Sequence, residues 1–228
     1  MADALRALAT MNTRFAPQFA RTMLSTNRAG DEARDFASHC EAKGFEFTTA
    51  WADNNIPYVT PLLRSFAEGR GQIRYLEIGA YEGRNLAFLD WLLPARLDVT
   101  VIDPWFDEAL NPEEKYHAVE PRFQRNVAKL NFDNLTTRKA FSTYELPKML
   151  AAGETYDLIY IDGSHQAPDV LSDAVMSFPL LRVGGMMAFD DYLWAMEEKG
   201  AEDPLNMPKP AVDAFAKGEI LQVLLFSV

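Results

Sequence analysis

The sequence has a single cysteine and no long apolar run. Cys40 is the only cysteine among 228 residues, which excludes an internal disulfide framework and a zinc site built from several thiolates. A chain of this length buries roughly 70% of its unfolded surface and folds without disulfides. No stretch of about 18 apolar residues occurs, so the sequence predicts no membrane-spanning helix.

Basic residues are also scarce. The 22 basic residues face 33 acidic ones, which gives a formal net charge of −11. Because no basic stripe can neutralise phosphates, we expect no nucleic-acid partner, and the same balance disfavours docking to an anionic membrane. The first six residues lack the apolar core of a signal peptide, so the expected location is cytoplasmic.

From residue 73 onward, short apolar runs alternate with helical patterns. The predicted strands are 75–78, 99–103, 135–139, 156–161, 186–189 and 220–226. The predicted helices between them are 84–93, 112–130 with a break at Pro121, 144–152, 168–181 and 211–217, and Gly184-Gly185 is expected to form a turn. This alternation predicts an α/β fold, a Rossmann-like doubly wound and mostly parallel sheet with helices on both faces.

The N-terminal part of the chain has a different character. Helical patterns at about 2–10, 31–43 and 56–66 are separated by polar loops. The sequence therefore predicts an N-terminal helical cap over residues 1–70 and a main domain over 71–228.

Ligands of doubly wound sheets bind beyond the carboxyl ends of the strands. That rule predicts four sites along one edge, after Ile78, Ile102, Ile161 and Phe189. Each of the motifs described next follows one of these strand ends.

The first motif is a glycine turn that leads from a strand into a helix. Gly79 allows the backbone to approach a ligand closely, and Gly83 suits a tight helix entry. The dinucleotide pattern Gly-x-Gly-x-x-Gly is incomplete, which disfavours a nicotinamide oxidoreductase. No Gly-Lys-Ser/Thr follows the turn, which excludes a P-loop. Glu77, an acid near the end of a buried strand, needs a partner such as a cationic ligand or a backbone amide. A plain strand–helix turn without a ligand is the alternative.

The second motif is Asp103, 20 residues after Gly83, at the end of the next strand. An acid in this place can accept hydrogen bonds from both ribose hydroxyls of a nucleoside. Trp105 could stack on an adenine ring or belong to the core.

Four runs in this order, YLEIGAYEGRN, VTVIDPW, YDLIYIDGSH and LLRVGGMMAFDDY, resemble a class I S-adenosylmethionine-dependent methyltransferase. The likeness covers roughly residues 50–228 and is greatest to the small-molecule branch that includes metal-dependent sugar and antibiotic O-methyltransferases. The resemblance implies that S-adenosylmethionine lies along the glycine turn and the second strand end, with Asn85 standing where close relatives more often carry serine. The implied cofactor-binding residues are Glu77, Gly79, Ala80, Tyr81, Gly83, Asn85, Asp103, Trp105, Ser142 and Asp162.

The third and fourth motifs are Asp162-Gly163-Ser164-His165 and Asp190-Asp191. Three carboxylates in one site repel each other, and a divalent cation would remove that repulsion; oxygen ligands suit Mg²⁺, Mn²⁺ or Ca²⁺. The resemblance implies that Asp162, Asp190 and Asp191 bind the cation, most often Mg²⁺, and that His165 and Asp162 form the catalytic pair, with His165 as the base. A packing histidine and a helix N-cap at Asp190-Asp191 are the alternatives without catalysis.

The sequence thus predicts an O-methyltransferase that acts on a hydroxyl of a small molecule, a sugar or natural-product polyol. A metal-independent N-methyltransferase and a non-catalytic cofactor-binding scaffold subunit remain alternatives. The resemblance further implies homo-oligomers formed through the N-terminal helices. It also implies an antiparallel last strand, for which the sequence has no candidate after residues 220–228.

Overall fold

The structure is a computed structural model that describes residues 29–94, 96–105, 118–218 and 223–225, so the predicted helix at 2–10 and residues 112–117 of the one at 112–130 lie outside it. The strands form one six-stranded sheet in the order β3-β2-β1-β4-β5-β6. They are β1 (Ile73–Ile78), β2 (Leu97–Ile102), β3 (Asn134–Arg138), β4 (Tyr156–Ile161), β5 (Leu181–Phe189) and β6 (Val223–Leu225). All neighbouring strands pair in parallel, including β6 with β5, which confirms the doubly wound α/β fold.

Helices connect the strands. They are α1 (Ala29–Lys43), α2 (Ile56–Ala67), α3 (Arg84–Leu92), α4 (Val119–Val127), α5 (Ser142–Ala151), α6 (Ala167–Ser177) and α7 (Lys209–Gly218). Short 3-10 turns lie at Trp51–Asn54, Phe178–Leu180 and Pro204–Asn206. No helix in these described ranges is long and apolar enough to cross a membrane.

Each face of the sheet has its own hydrophobic core, because successive side chains of a strand point to opposite faces. Tyr75 and Leu158 belong to the core under α1, α2, α3 and α4, whereas Leu76 and Ile159 belong to the core under α5, α6 and α7. Side chains on both faces of the central strands β1, β2 and β4 are mostly buried, which explains why apolar residues dominate these strands.

The N-terminal helices share the first of these cores. Phe36 of α1 is fully buried and contacts Phe88 of α3 edge to face, with ring centroids 5.5 Å apart. Ile56 and Leu63 of α2 are buried in the same cluster. The cap helices therefore pack directly on the sheet layer. The predicted boundary at residue 70 between an N-terminal cap and a main domain stays a prediction.

Three local predictions were wrong. Pro121 does not break α4, because it lies in the first turn, where a missing backbone N–H costs no intrahelical bond. The helix predicted at 168–181 ends at Ser177, one residue before the 3-10 turn that contains Pro179. Gly184-Gly185 lies within β5, where the pairing with β4 shifts register, so that the strand begins at Leu181.

The carboxyl ends of the central strands lie side by side. The Gly79 N–H donates to the Ile102 carbonyl (2.8 Å), the Asp162 N–H to the Ile78 carbonyl (2.8 Å), and the Asp190 N–H to the Ile161 carbonyl (3.0 Å). The loops after β1, β2, β4 and β5 therefore form one rim, as the strand-end rule predicts; we call this edge the rim.

The close approach of the loops after β1 and β4 requires a glycine at position 79. Its φ is +86°, and a Cβ there would lie 2.1 Å from the Asp162 carbonyl oxygen and 2.7 Å from Gly163 Cα. Both contacts are with backbone, so a side chain at this position would push the loops after β1 and β4 apart.

Candidate active site

Asp103 holds the glycine turn in place. Its Oδ2 accepts the backbone N–H groups of Ala80 (2.8 Å) and Tyr81 (2.9 Å), and its Oδ1 accepts that of Trp105 (2.7 Å). Burial raises the pKa of Asp103, and these three backbone hydrogen bonds oppose the rise. Asp103 therefore orders the turn that would receive a cofactor, and its contact with ribose stays a prediction.

Trp105 and Ser142 are two further predicted cofactor residues. The indole of Trp105 is buried against Phe123, with ring centroids 4.5 Å apart, and its Nε1 donates to the Tyr81 carbonyl (2.9 Å). Ser142 begins α5, where its side chain hydrogen bonds with buried Asp173 and lowers the pKa of that acid, which burial raises to about 6 overall. Their contacts with adenine stay predictions.

Glu77 is almost fully buried, at 1% exposure, beneath the glycine turn. The Tyr75 hydroxyl donates to its Oε2 (2.9 Å), and Asn85 Nδ2 donates to the same hydroxyl (2.9 Å) and to Glu77 Oε1 (3.4 Å). Burial raises the pKa of Glu77 to about 8; the Tyr75 and Asn85 hydrogen bonds oppose this, and the charges of Asp103 and Asp190 add to it. A cation placed beside Glu77 would favour the ionised form.

The raised pKa of Glu77 has a testable effect on stability. Between about pH 4.5 and 8, the folded state keeps a proton on Glu77 that the unfolded state releases, so this residue lowers the free energy of unfolding as pH rises. We expect Glu77→Gln to reduce this decline, because glutamine does not ionise. Urea unfolding of both proteins at pH 5 and pH 8 measures the difference, and equal declines would contradict the raised pKa.

A second cluster lies on the same rim. Asp162, His165 and Asp191 each offer a ligand atom, and these atoms all lie within 4.8 Å of one another. His165 Nε2 lies 2.5 Å from Asp191 Oδ2. Burial, followed by repulsion from Asp190 and Asp191, holds the pKa of Asp162 well above its usual range. Among the described residues, the Asp162 carboxylate has no hydrogen-bond or ion-pair partner.

Asp190, the third predicted metal ligand, lies outside this cluster. Its Oδ2 accepts the Tyr160 hydroxyl (2.5 Å), and its Oδ1 accepts Asn55 Nδ2 (3.1 Å) and the backbone N–H of Asp191 (2.8 Å). The two adjacent acids therefore point to different partners. Asp190 faces the sheet and the N-terminal cap, and Asp191 faces His165.

Sequence reasoning missed Tyr160, Asn55 and Tyr75, which hold the acids of the rim. Tyr75 and Tyr160 lie in strands predicted to be buried, and that is the available signal, because a buried hydroxyl needs a partner. Asn55 carried no such signal, since its contact with Asp190 joins residues 135 positions apart.

Glu82 is a further missed residue, and it joins the glycine turn to the N-terminal cap. Its buried carboxylate accepts the Thr48 N–H (2.6 Å), the Thr48 hydroxyl (2.9 Å) and Arg122 Nε. Asn126 Nδ2 donates to the Glu82 carbonyl (2.9 Å) and to that of Glu46 (3.0 Å). This network fixes the outer side of the turn.

The donor set suits a cationic or metal-bound ligand. Five carboxylates line one rim, those of Glu77, Asp103, Asp162, Asp190 and Asp191. Their mutual repulsion contributes to the raised pKa values, so a positive charge bound there would stabilise the ionised acids. Asp162 and Asp191 converge with His165, whereas Asp190 bonds to other groups, and metal binding by the three acids stays a prediction.

The chain is similar in sequence to a curated viral protein. A curated relative, an uncharacterized protein of Acanthamoeba polyphaga mimivirus, is 26% identical over 127 residues, and this match covers 54% of this chain and 53% of the relative. The chain thus spans about half the length of the curated relative that it matches.

Two solved structures share the fold. A Klebsiella pneumoniae protein provisionally described as an O-methyltransferase superposes with a TM-score of 0.54 at 16% identity, covering 83% of this chain and 79% of its own. The MycE methyltransferase of the mycinamycin biosynthetic pathway superposes with a TM-score of 0.51 at 18% identity, covering 94% of this chain and 55% of its own. The sequence profile of the family described as "Methyltransferase domain" matches residues 76–192, just over half of this chain. The chain therefore belongs to the methyltransferase-domain family, which confirms the resemblance seen in its strand-end motifs.

Proposed function

We propose that this protein transfers a methyl group from S-adenosylmethionine to a hydroxyl of a small molecule, a sugar or natural-product polyol, with the help of a divalent cation. One observation carries the proposal. The glycine turn held by Asp103 and the His165–Asp191 pair lie on the same rim, so a methyl donor and a proton acceptor can meet there.

The histidine–carboxylate pair favours a hydroxyl acceptor. A hydroxyl is a poor nucleophile until a base removes its proton, whereas a neutral amine needs no such base. His165 is partly exposed and can take this proton. Asp191, at 2.5 Å from His165 Nε2, orients the ring and would stabilise the imidazolium that forms.

The glycine turn and its supports are suited to the methyl donor. S-adenosylmethionine, when bound, supplies an electrophilic sulfonium methyl group. Glu77 would face its charged methionine end, Asp103 would orient the turn and the ribose, and Ser142 would contact the base. The positively charged donor matches the acidic rim, since it offsets the repulsion that raises the pKa of Glu77.

Asp162 and Asp191 would hold the divalent cation. When bound, such a cation lowers the pKa of a coordinated hydroxyl and helps to align it. The support is their convergence within 4.8 Å with His165, and the lack of another partner for Asp162 among the described residues. The related MycE structure was solved with Mg, S-adenosylhomocysteine and mycinamycin VI.

Partly exposed aromatic rings beside the base and beside the glycine turn suit a small acceptor. The Trp194 ring lies 4.6 Å from the His165 ring, and Trp194 is partly exposed. Trp51 of the cap, 60% exposed, packs near Tyr81 with ring centroids 5.5 Å apart. Aromatic faces of this kind pack against the apolar side of a sugar ring, and this supports the proposed acceptor class.

Methyl transfer tests this proposal directly. Purified protein is mixed with radiolabelled S-adenosylmethionine and a panel of sugars, polyols and amines, with Mg²⁺, with EDTA, and with Mg²⁺ restored. We expect label to enter a hydroxyl compound, to be lost with EDTA and to return with Mg²⁺.

The other outcomes separate the alternatives. Transfer to an amine that persists in EDTA identifies a metal-independent N-methyltransferase. Binding of S-adenosylhomocysteine in calorimetry without label transfer to any acceptor identifies a cofactor-binding scaffold. Absence of S-adenosylhomocysteine binding contradicts the proposed function altogether.

A further inference from the structure

The two consecutive acids after β5 have opposite orientations. Asp191 extends toward His165, whereas the Asp190 carboxylate accepts three hydrogen bonds, from Tyr160, from Asn55 and from the backbone N–H of Asp191. Both oxygens of Asp190 are thus engaged. Three of the roughly four acceptor positions of this carboxylate are therefore already used to hold the turn, the sheet and the cap.

The Asp190–Asp191 hydrogen bond stabilises an uncommon backbone conformation. Asp191 has a φ of +53°, in the left-handed region that a non-glycine residue rarely adopts. Its N–H donates to Asp190 Oδ1 at 2.8 Å, so the side chain of Asp190 closes this turn. The same turn directs the Asp191 carboxylate to His165.

Asp190 also joins the turn to two other elements. Tyr160 lies in β4, two residues before Asp162, and Asn55 immediately precedes α2 of the N-terminal cap. Asn55 is buried, at 5% exposure. The contact therefore connects the cap, the sheet and the loop that carries Asp191.

We infer that Asp190 is a positioning residue rather than a ligand of the cation: it holds Asp191 against His165 and connects this pair to the cap through Asn55 and Tyr160. This inference rests on the proposed function for the roles of His165 and Asp191. It differs from the assignment of Asp190 as a third metal ligand that the family resemblance implies.

Metal binding in solution gives the first test. Mn²⁺ is titrated into wild type, Asp190→Asn and Asp191→Asn, and free Mn²⁺ is measured by electron paramagnetic resonance. We expect Asp191→Asn to weaken Mn²⁺ binding at least tenfold and Asp190→Asn to change it less than about threefold. Equal weakening by both variants overturns the inference, as does a Mn²⁺-soaked crystal in which an Asp190 oxygen coordinates the ion.

Kinetics separate positioning from general damage. We expect Tyr160→Phe, which removes only the hydroxyl, to lower kcat several-fold with little change in the KM for S-adenosylmethionine. Asp190→Asn is expected to lower kcat similarly, and the double variant to lower it no further, because both act through one contact. Additive losses, or an unchanged kcat in Tyr160→Phe, contradict the inference.

Amide exchange tests the turn without any metal or substrate. The Asp191 N–H is expected to be protected in the wild type and to exchange at least tenfold faster in Asp190→Ala, with Asp203→Ala as an exposed-loop control. Unchanged protection overturns the positioning role. If wild type binds neither Mn²⁺ nor S-adenosylhomocysteine, the proposed function fails, and amide exchange alone then decides whether Asp190 holds the turn.

Discussion

Replacement of His165 by alanine is expected to lower kcat by roughly 10²–10⁴-fold, the usual contribution of a positioned general base. His165 is partly exposed on the rim and pairs with Asp191. Without it, no side chain of the described rim other than a carboxylate is placed to accept the proton of the acceptor hydroxyl. Turnover of the best hydroxyl acceptor from the panel, with saturating Mg²⁺, measures the loss.

Binding and rescue experiments distinguish a lost base from a damaged fold. We expect S-adenosylhomocysteine to bind His165→Ala within about threefold of its wild-type affinity, because the glycine turn is held by Asp103 and Glu82 rather than by His165. Added imidazole should restore part of the activity by occupying the space of the missing ring. His39→Gln, a change in α1 away from the rim, should leave kcat unchanged.

Two results would contradict the role of His165. Activity within tenfold of wild type would show that a carboxylate or water removes the proton, or that the acceptor is an amine. A large loss without any rescue by imidazole, together with weakened cofactor binding, would indicate that His165 mainly packs against Trp194.

The fold could be predicted because its central strands are buried on both faces. Apolar runs such as those of β1, β2 and β4 mark parallel strands whatever their neighbours are, and their order along the chain places their ends on one rim. The start of β5 could not be predicted in this way, because the register shift opposite Tyr156–Leu158 depends on the neighbouring strand. A Gly-Gly pair in sequence fits a turn and a bulge equally well.

Predicting the site was limited by tertiary contacts. The rim positions of Glu77, Asp103, Asp162 and His165 follow from where strands end, and sequence supplies that information. The direction of the Asp190 side chain depends on the backbone of the next residue and on Asn55, which lies far away in the chain. Asp is compatible with both orientations, so the pattern Asp-Asp could not distinguish a ligand from a residue that closes a turn.

The second large effect is expected for Asp162→Asn, which should abolish stabilisation by divalent cations and lower kcat at least about a hundredfold. Burial and the neighbouring acids raise the pKa of Asp162, so its ionisation costs free energy in the metal-free protein. Because the folded state keeps a proton that the unfolded state releases, Asp162 lowers stability as pH rises above its unfolded pKa. Asparagine does not ionise, so the metal-free variant should lose less thermal stability than the metal-free wild type as pH rises above the ordinary aspartate pKa of about 3.9.

Thermal melting with and without Mg²⁺ distinguishes the two proteins, because only the wild type is expected to be stabilised. At about 100 times the dissociation constant, a bound cation stabilises the wild type by about 2.7 kcal/mol, or roughly 5–10 °C in Tm for a chain of this size. Asp162→Asn should show no such shift, whereas Asp133→Asn, the same change at an exposed position before β3, should shift like the wild type. A normal Mg²⁺ shift in Asp162→Asn, or turnover by it in EDTA at the wild-type rate, would exclude Asp162 as a ligand and leave the His165–Asp191 pair as a metal-independent base.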